Sequence, residues 1–273
     1  MTKLQSYLSV QEFHQHIYAF YAENKRSFAW RYTDNPYYVF ISEIMLQQTQ
    51  TDRVCNKFES FLEQFPTLFD LAHASLSEVL TAWQGMGYNR RAKFLHQTAQ
   101  LICSLYNGVI PKDPIILKQF PGIGAYTSCS IATFAYNIPT VFIETNIRAV
   151  FIHHFFNNQN DIHDKELFPF IEKYLDTNNP RSWYYALMDY GAFLKKQTTN
   201  PNRKSIHYTI QSKFEGSDRQ IRGAIIRALT QHKKLNHDNL LSFLKTNPQR
   251  TINILEKLLY EGLIQKNQEF YTL

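Results

Sequence analysis

Phe120-Pro121-Gly122-Ile123-Gly124-Ala125-Tyr126-Thr127 is the stretch on which the reading of this chain turns. Before it, residues 112–119 read as a short helix. After it, residues 125–135 read as a second helix, rich in small residues that allow close packing. A Pro-Gly-hydrophobic-Gly turn between two helices is the helix-hairpin-helix pattern. Gly122 and Gly124 let backbone N–H groups approach a ligand closely, and the second helix presents its positive N-terminus. Gly122, Ile123, Gly124 and Thr127 are therefore the candidate seat of a DNA phosphate, one that needs no side-chain charge. The same four letters occur in ordinary turns; the flanking helices set this one apart.

Glu144-Thr145-Asn146 follows about twenty residues later, at the entrance of the next helical stretch, Ile147 to Phe156. Thr145 or Asn146 is the expected cap. A helix N-terminus stabilises negative charge, so Glu144 is expected to stay ionised. A second carboxylate, Glu43, lies in Ser42-Glu43-Ile44-Met45-Leu46-Gln47-Gln48-Thr49-Gln50. The helix opened by Pro36 carries an apolar stripe of Tyr37, Phe40, Ile41 and Ile44, and Glu43 borders it. Desolvation there raises a carboxyl pKa and suits a general acid. One acid held protonated and one held charged is the division of labour that breaks a glycosidic bond. The bland alternatives are a surface Glu beside a stripe and a plain helix end at Leu46-Gln47-Gln48, residues that otherwise suit a wedge in a base stack.

Composition agrees with a nucleic-acid-facing protein. The 273 residues are 44% hydrophobic, enough for a core, and carry a net charge of +6. Residues 203–273 hold twelve Lys and Arg against six acids, and residues 1–202 hold seventeen against seventeen. The whole excess thus sits in the last quarter, which is expected to add sequence-independent phosphate affinity; a solvated basic face is the alternative. No apolar run reaches membrane-spanning length, and Met1-Thr2-Lys3-Leu4-Gln5 opens no signal peptide. The wide spacing of Cys55, Cys103 and Cys129 predicts buried thiols of a reducing compartment, with neither a disulfide framework nor a metal site.

Helices are expected over residues 10–22, two short ones between 62 and 82 joined near Ser75, and others over 91–106, 146–156, 165–175 and 181–194. Residues 198–213 read as an irregular connection. Helices over 217–230, 237–245 and 248–261, then strands at 262–265 and 269–272, follow the order of a winged helix. The fold class is all-α with a small C-terminal winged-helix-like segment. The expected domains are 1–204, a connection over 205–216, and a basic module over 217–273; a structural cap or protein-contact module is the alternative for the last.

Trp30-Arg31, Ser42 to Gln50, Gly85-Met86-Gly87-Tyr88, Arg91-Ala92, the hairpin with Tyr126-Thr127, Asn146 and Met188-Asp189-Tyr190-Gly191-Ala192 resemble the adenine DNA glycosylase (MutY-type) branch of the endonuclease III superfamily. The match runs from about residue 28 to 194. The resemblance implies a two-lobed glycosylase with double-stranded DNA in the cleft, which flips adenine from opposite guanine or 8-oxoguanine. Position by position it implies Glu43 as the acid that protonates the base and later handles water. Tyr126 would stand near the reacting sugar, and Asn146 beside the cation-stabilising acid, Glu144. It implies Arg31 in the base pocket, and Leu46, Gln48 and Tyr88 at the vacated stack. Tyr126 stands where lyase relatives carry a lysine, so the resemblance implies a monofunctional enzyme.

This chain departs from the pattern three times. The acid at 144 is glutamate, where the family has aspartate. The iron–sulfur ligand positions fall at Lys195, Asn202, Ser205 and Gln211, so no cluster and no other cofactor is expected, and Lys195, Lys196, Arg203 and Lys204 are left to meet phosphates by charge. The family domain that reads 8-oxoguanine has no counterpart, and the basic tail takes its place. The expectation is a clusterless, cytoplasmic monomer, at the nucleoid if the source is bacterial, with no membrane partner. Glycosylases for thymine or uracil opposite guanine or for a modified pyrimidine, and a catalytically decayed DNA-structure binder, are the alternatives.

Overall fold

The computed structural model describes residues 8–244 and 246–273; the Met1–Gln5 stretch read above lies outside them. In chain order the helices are α1 (Val10–Asn24), α2 (Pro36–Leu46), α3 (Thr51–Gln64), α4 (Leu68–His73), α5 (Leu76–Ala82), α6 (Arg90–Tyr106) and α7 (Pro114–Leu117). They continue as α8 (Ala125–Tyr136), α9 (Thr145–Phe155), α10 (Asp164–Lys173), α11 (Pro180–Gln197) and α12 (Asp218–His232). Strand β1 (Lys234–Asn236), α13 (His237–Leu244), α14 (Pro248–Tyr260), β2 (Gln265–Asn267) and β3 (Phe270–Thr272) complete the chain.

The chain divides into two compact units. The first holds residues 8–39, 112–118 and 123–210. Its core gathers Phe13 of α1, Phe151 and Phe155 of α9, Tyr174, and Trp183 of α11, all buried. Phe13 meets Phe155 and Tyr174 edge-on at 5.2 and 5.0 Å, the arrangement ring quadrupoles favour. A capping box starts α1: the Ser9 hydroxyl accepts from the Glu12 N–H, and the Glu12 carboxylate accepts from the Ser9 N–H. Gly191 of α11 faces the backbone of Asn146, where an added Cβ would lie 2.2 Å from its carbonyl oxygen. Glycine is what lets α11 come this close to the start of α9.

The second unit holds residues 40–111, 119–122 and 211–273. Capping boxes at Thr67 with Asp70 and Ser75 with Glu78 start α4 and α5. The sequence reading missed α3, although Val54, Phe58 and Phe61 face inward at helical spacing; charged residues between them masked the stripe. In the tail, α12 buries Ile221, Ile225 and Leu229, and α14 buries Ile254, Leu255 and Leu258. Each such side chain contributes about 2 kcal/mol. The expected strand at 262–265 begins later. Gly262 (φ +61°) and Leu263 instead close α14, their N–H groups donating to the Leu259 and Leu258 carbonyls. The unpredicted β1 completes an antiparallel sheet of order β1-β3-β2, with Leu235 and Lys266 on either side of Tyr271. The tail packs within the second unit, where the Lys93 ammonium of α6 donates to the Glu261 carbonyl.

The cysteines differ from expectation. All three are free thiols, but Cys55 is exposed and Cys103 and Cys129 are half-buried. Cys55 lies off the Val54-Phe58-Phe61 stripe, on the outer face of α3. Among the described residues no cluster of His, Cys, Asp and Glu has the form of a metal site, and no helix is long and apolar enough to cross a membrane.

Candidate active site

In the first unit the site is built around the entrance of α9. Glu144 itself is the N-cap, where Thr145 or Asn146 was expected. Its Oε1 accepts from the backbone N–H of Asn146 (2.8 Å) and of Ile147 (2.9 Å). Its Oε2 accepts from the Asn146 side-chain amide (3.0 Å) and the Thr145 hydroxyl (3.1 Å). The physical reason for the correction is reach. A glutamate's extra methylene lets the carboxyl fold back over the first turn, which leaves Thr145 and Asn146 as donors to it. Four donors, two of them N–H groups of the helix N-terminus, surround one half-buried carboxylate.

Tyr126, in the first turn of α8, is half-buried, and its ring stands edge-on to Phe142 at 5.6 Å, two residues before Glu144. Thr127 is buried beside it. Gly124 caps α8 with extended backbone and makes no side-chain cap hydrogen bond. An added Cβ at Gly124 would meet nothing within 4 Å. Ile123 is buried.

Arg31 is committed inside this unit. Its guanidinium donates to both oxygens of Asp189 (2.8 and 2.9 Å) and to the Arg26 carbonyl, and lies over the Tyr185 ring. Asp189 is nearly fully buried and also accepts from the Arg26 guanidinium and backbone N–H. This bidentate network ties the segment bearing Trp30 and Arg31 to α11. Sequence reasoning quoted Asp189 without giving it a task.

The four iron–sulfur positions hold an amine, two amides and a hydroxyl, which do not suit a thiolate-bound cluster. The Asn202 amide instead donates to the Thr145 carbonyl (2.8 Å), and Ser205 pairs with Ile162 as a short bridge, so the expected irregular connection is partly ordered. Burial pushes the Lys195 ammonium's pKa down, while the charge of Glu144 nearby pulls it back up. That neighbour relation was also absent from the sequence reading.

In the second unit Glu43 is buried on α2, only 4% exposed. Just beyond it α2 ends at Leu46, which is half-buried, and Gln48 is exposed with φ +54°. Tyr88, 36% exposed, has φ +50°. A side chain in the left-handed region costs about 1 kcal/mol or more, so something must hold both residues there. Arg91 does. Its guanidinium donates to the carbonyls of Ile44 (2.9 Å), Met45 (2.8 Å) and Gln47 (2.6 Å) and to the Thr49 hydroxyl (2.8 Å). It also reaches the Met86 and Gly87 carbonyls, at 3.4 and 3.2 Å. One buried cation therefore fixes the turns before and after Gln48 and Tyr88, at the cost of a pKa pushed down by burial to about 10. The Gln47 amide donates to the Gly122 carbonyl (3.1 Å), and the Thr98 hydroxyl to that of Pro121. Gly122 has φ +75°, and an added Cβ there would lie 2.8 Å from Phe94.

Residues 41–175 match the model of the HhH-GPD superfamily base excision DNA repair proteins. An adenine DNA glycosylase of Buchnera aphidicola is 31% identical over 71% of this chain and 54% of its own length, so the chain spans about half of that relative. An adenine DNA glycosylase of Mycolicibacterium smegmatis is 29% identical over 93% of this chain and 92% of that protein. Among solved structures, a thermostable thymine-DNA glycosylase aligns with a TM-score of 0.63 and 25% identity, over 71% of this chain and 91% of its own.

Proposed function

Because the chain belongs to the HhH-GPD superfamily of base excision DNA repair proteins, we propose that it is a monofunctional DNA glycosylase releasing adenine mispaired with guanine or 8-oxoguanine from duplex DNA. The Glu144 cap carries this proposal: a carboxylate held by four donors is set to face the positive charge that develops on the sugar as the base departs. Glu43, buried on α2, supplies the proton to the leaving base and afterwards directs water to the sugar. Tyr126 lines the sugar and has no amine with which to form a Schiff base. The N–H groups at Gly124 and the start of α8 take a DNA phosphate. Leu46, Gln48 and Tyr88 occupy the stack that the flipped base leaves. The Arg31–Asp189 pair braces the wall beside the base. No step runs through an iron–sulfur cluster, and the enzyme acts as a monomer without cofactor.

The likeness to a thymine-DNA glycosylase favours a second reading, in which thymine or uracil opposite guanine is the target. Duplexes carrying A·G, A·8-oxoguanine, T·G and U·G pairs, treated with hot alkali after incubation, decide between them. Abasic sites should arise at the adenines. Glu43→Gln should abolish release while leaving DNA binding within about threefold, because the amide keeps the shape and loses the proton. Strand nicking before alkali, with a borohydride-trapped adduct, would contradict monofunctional chemistry and point to Lys195, the amine near Glu144.

A further inference from the structure

The second unit contains a cavity of about 530 Å³ that the catalytic scheme does not use. Its walls include Gln48, Tyr88 and Phe94 on one side and Arg219, Arg222 and Gly223 of α12 on the other. The tail thus forms half of a pocket whose other half is the wedge. Arg219 donates to the Tyr88 hydroxyl (3.2 Å), which also accepts from the Gln211 amide. Its remaining partners among the described residues are Ser212 and the face of the Phe214 ring, so no carboxylate offsets its charge. Arg222, by contrast, is paired with Glu261.

Gly223 sits inside α12, where glycine costs about 1 kcal/mol relative to alanine. No packing accounts for it, since an added Cβ would meet nothing within 4 Å. An uncompensated guanidinium, two aromatic rings and an open glycine floor beside the wedge form a receptor for a flat, acceptor-rich group. The volume has room for one nucleotide. The N7 and O6 acceptors of guanine match the fork of an arginine, whereas 8-oxoguanine carries a hydrogen on N7 and offers the fork only its oxygens; base faces stack on aromatic rings.

We propose that this pocket receives the purine left unpaired opposite the excised base, and that Arg219 reads the N7/O6 edge of a guanine there. The basic tail then sets opposite-base preference, beyond the sequence-independent affinity its charge suggests. The inference rests on the assignment of Gln48 and Tyr88 to the DNA stack. Binding to a non-hydrolysable abasic-site analogue separates it from the assignment of chemistry, because no bond need break.

Duplexes would place that analogue opposite G, 8-oxoguanine, C or T. Fluorescence anisotropy would compare the intact protein with Arg219→Lys, Arg219→Ala and Gly223→Leu. The intact protein should prefer G over the pyrimidines by about tenfold or more, and 8-oxoguanine by less, because its N7 carries a hydrogen. Arg219→Lys should keep overall affinity within about threefold and lose the preference, since an ammonium retains charge without the fork. Gly223→Leu, which fills the pocket without touching Arg219 or Tyr88, should lose it too. Circular dichroism melts should match the intact protein, and on A-containing duplexes the ratio of excision rates opposite G and C should fall in parallel. Absence of preference in the intact protein, a preference that survives Gly223→Leu, or equal losses for all four partners in Arg219→Lys would each overturn the inference. Purine-selective binding without excision would leave the pocket standing and sink the glycosylase reading instead.

Discussion

The entrance of α9 and the end of α2 are both helix termini that carry proposed chemistry, and they are made rigid in opposite ways. At α9, among the described residues, the hydrogen bonds to the Glu144 carboxylate come from the three residues after it. At α2 the turn through Gln48 is fixed by Arg91, more than forty residues away in sequence. The first carboxylate is thus held by a local solution. The second terminus rests largely on one buried cation that also holds the turn before Tyr88, so two strained residues share a support.

Removing that support gives the largest expected effect. Arg91→Ala strands the buried Ile44 and Met45 carbonyls and releases both turns, for a loss of about 4 kcal/mol in urea unfolding. Arg91→Lys keeps the charge and loses most of the acceptors, and should recover less than half of that stability. A variant unfolding within about 1 kcal/mol of the intact protein would show that the two turns hold themselves, and the contrast between the two termini would vanish.

The contrast also explains what the sequence made legible. The hairpin, the short helices joined near Ser75 and the helices of the tail follow from residues within one turn of each other; the capping boxes at Ser9 and Ser75 are as local, yet went unread. The stripe of α3 was equally present in Val54, Phe58 and Phe61, but the charged residues between them hid it. Three-residue β1 has no period to detect; it exists because β3 offers it a partner. Arg91 stood within a quoted motif, yet its acceptors are distant backbone carbonyls, which no side-chain pattern advertises. Glu144 was legible as a charge at a helix entrance and illegible as a cap, because glutamate reaches that position only by folding back. The role of Arg219 required knowing that α12 lies beside Tyr88.

The middle-sized effect belongs to the local terminus. Glu144→Gln keeps an acceptor for the Asn146 and Ile147 N–H groups and removes the charge. Unfolding free energy should change by less than about 1 kcal/mol, while single-turnover base release slows by about a hundredfold or more. Glu144→Asp preserves both cap and charge but draws the carboxylate back by one methylene, and should slow release by about tenfold. Faster release by the Asp variant would mean that Glu144 is a partial loss of function. Equal rates for all three proteins would remove the residue from the chemistry and leave it a cap.

The smallest effect separates the two glycines of the hairpin. Gly122 is required by the fold: its φ is +75°, and a methyl group would press on the Phe94 side chain. Gly124 is not, for its backbone is extended at φ −90° and the space above it is open. On the proposed function, the open space above Gly124 admits a phosphate to the first N–H groups of α8. Gly124→Ala should therefore leave the thermal midpoint within about 4 °C, the weaker capping by alanine costing about 1 kcal/mol or less. The same methyl group should hold a phosphate away from the backbone and weaken binding to any duplex by about tenfold at low salt, whatever base it carries. Titrations of the intact and Ala proteins on a matched duplex would read this directly. If Gly124→Ala bound as tightly as the intact protein while Gly122→Ala merely unfolded earlier, the hairpin would be a turn like any other, and phosphate contact would have to be sought among the lysines and arginines.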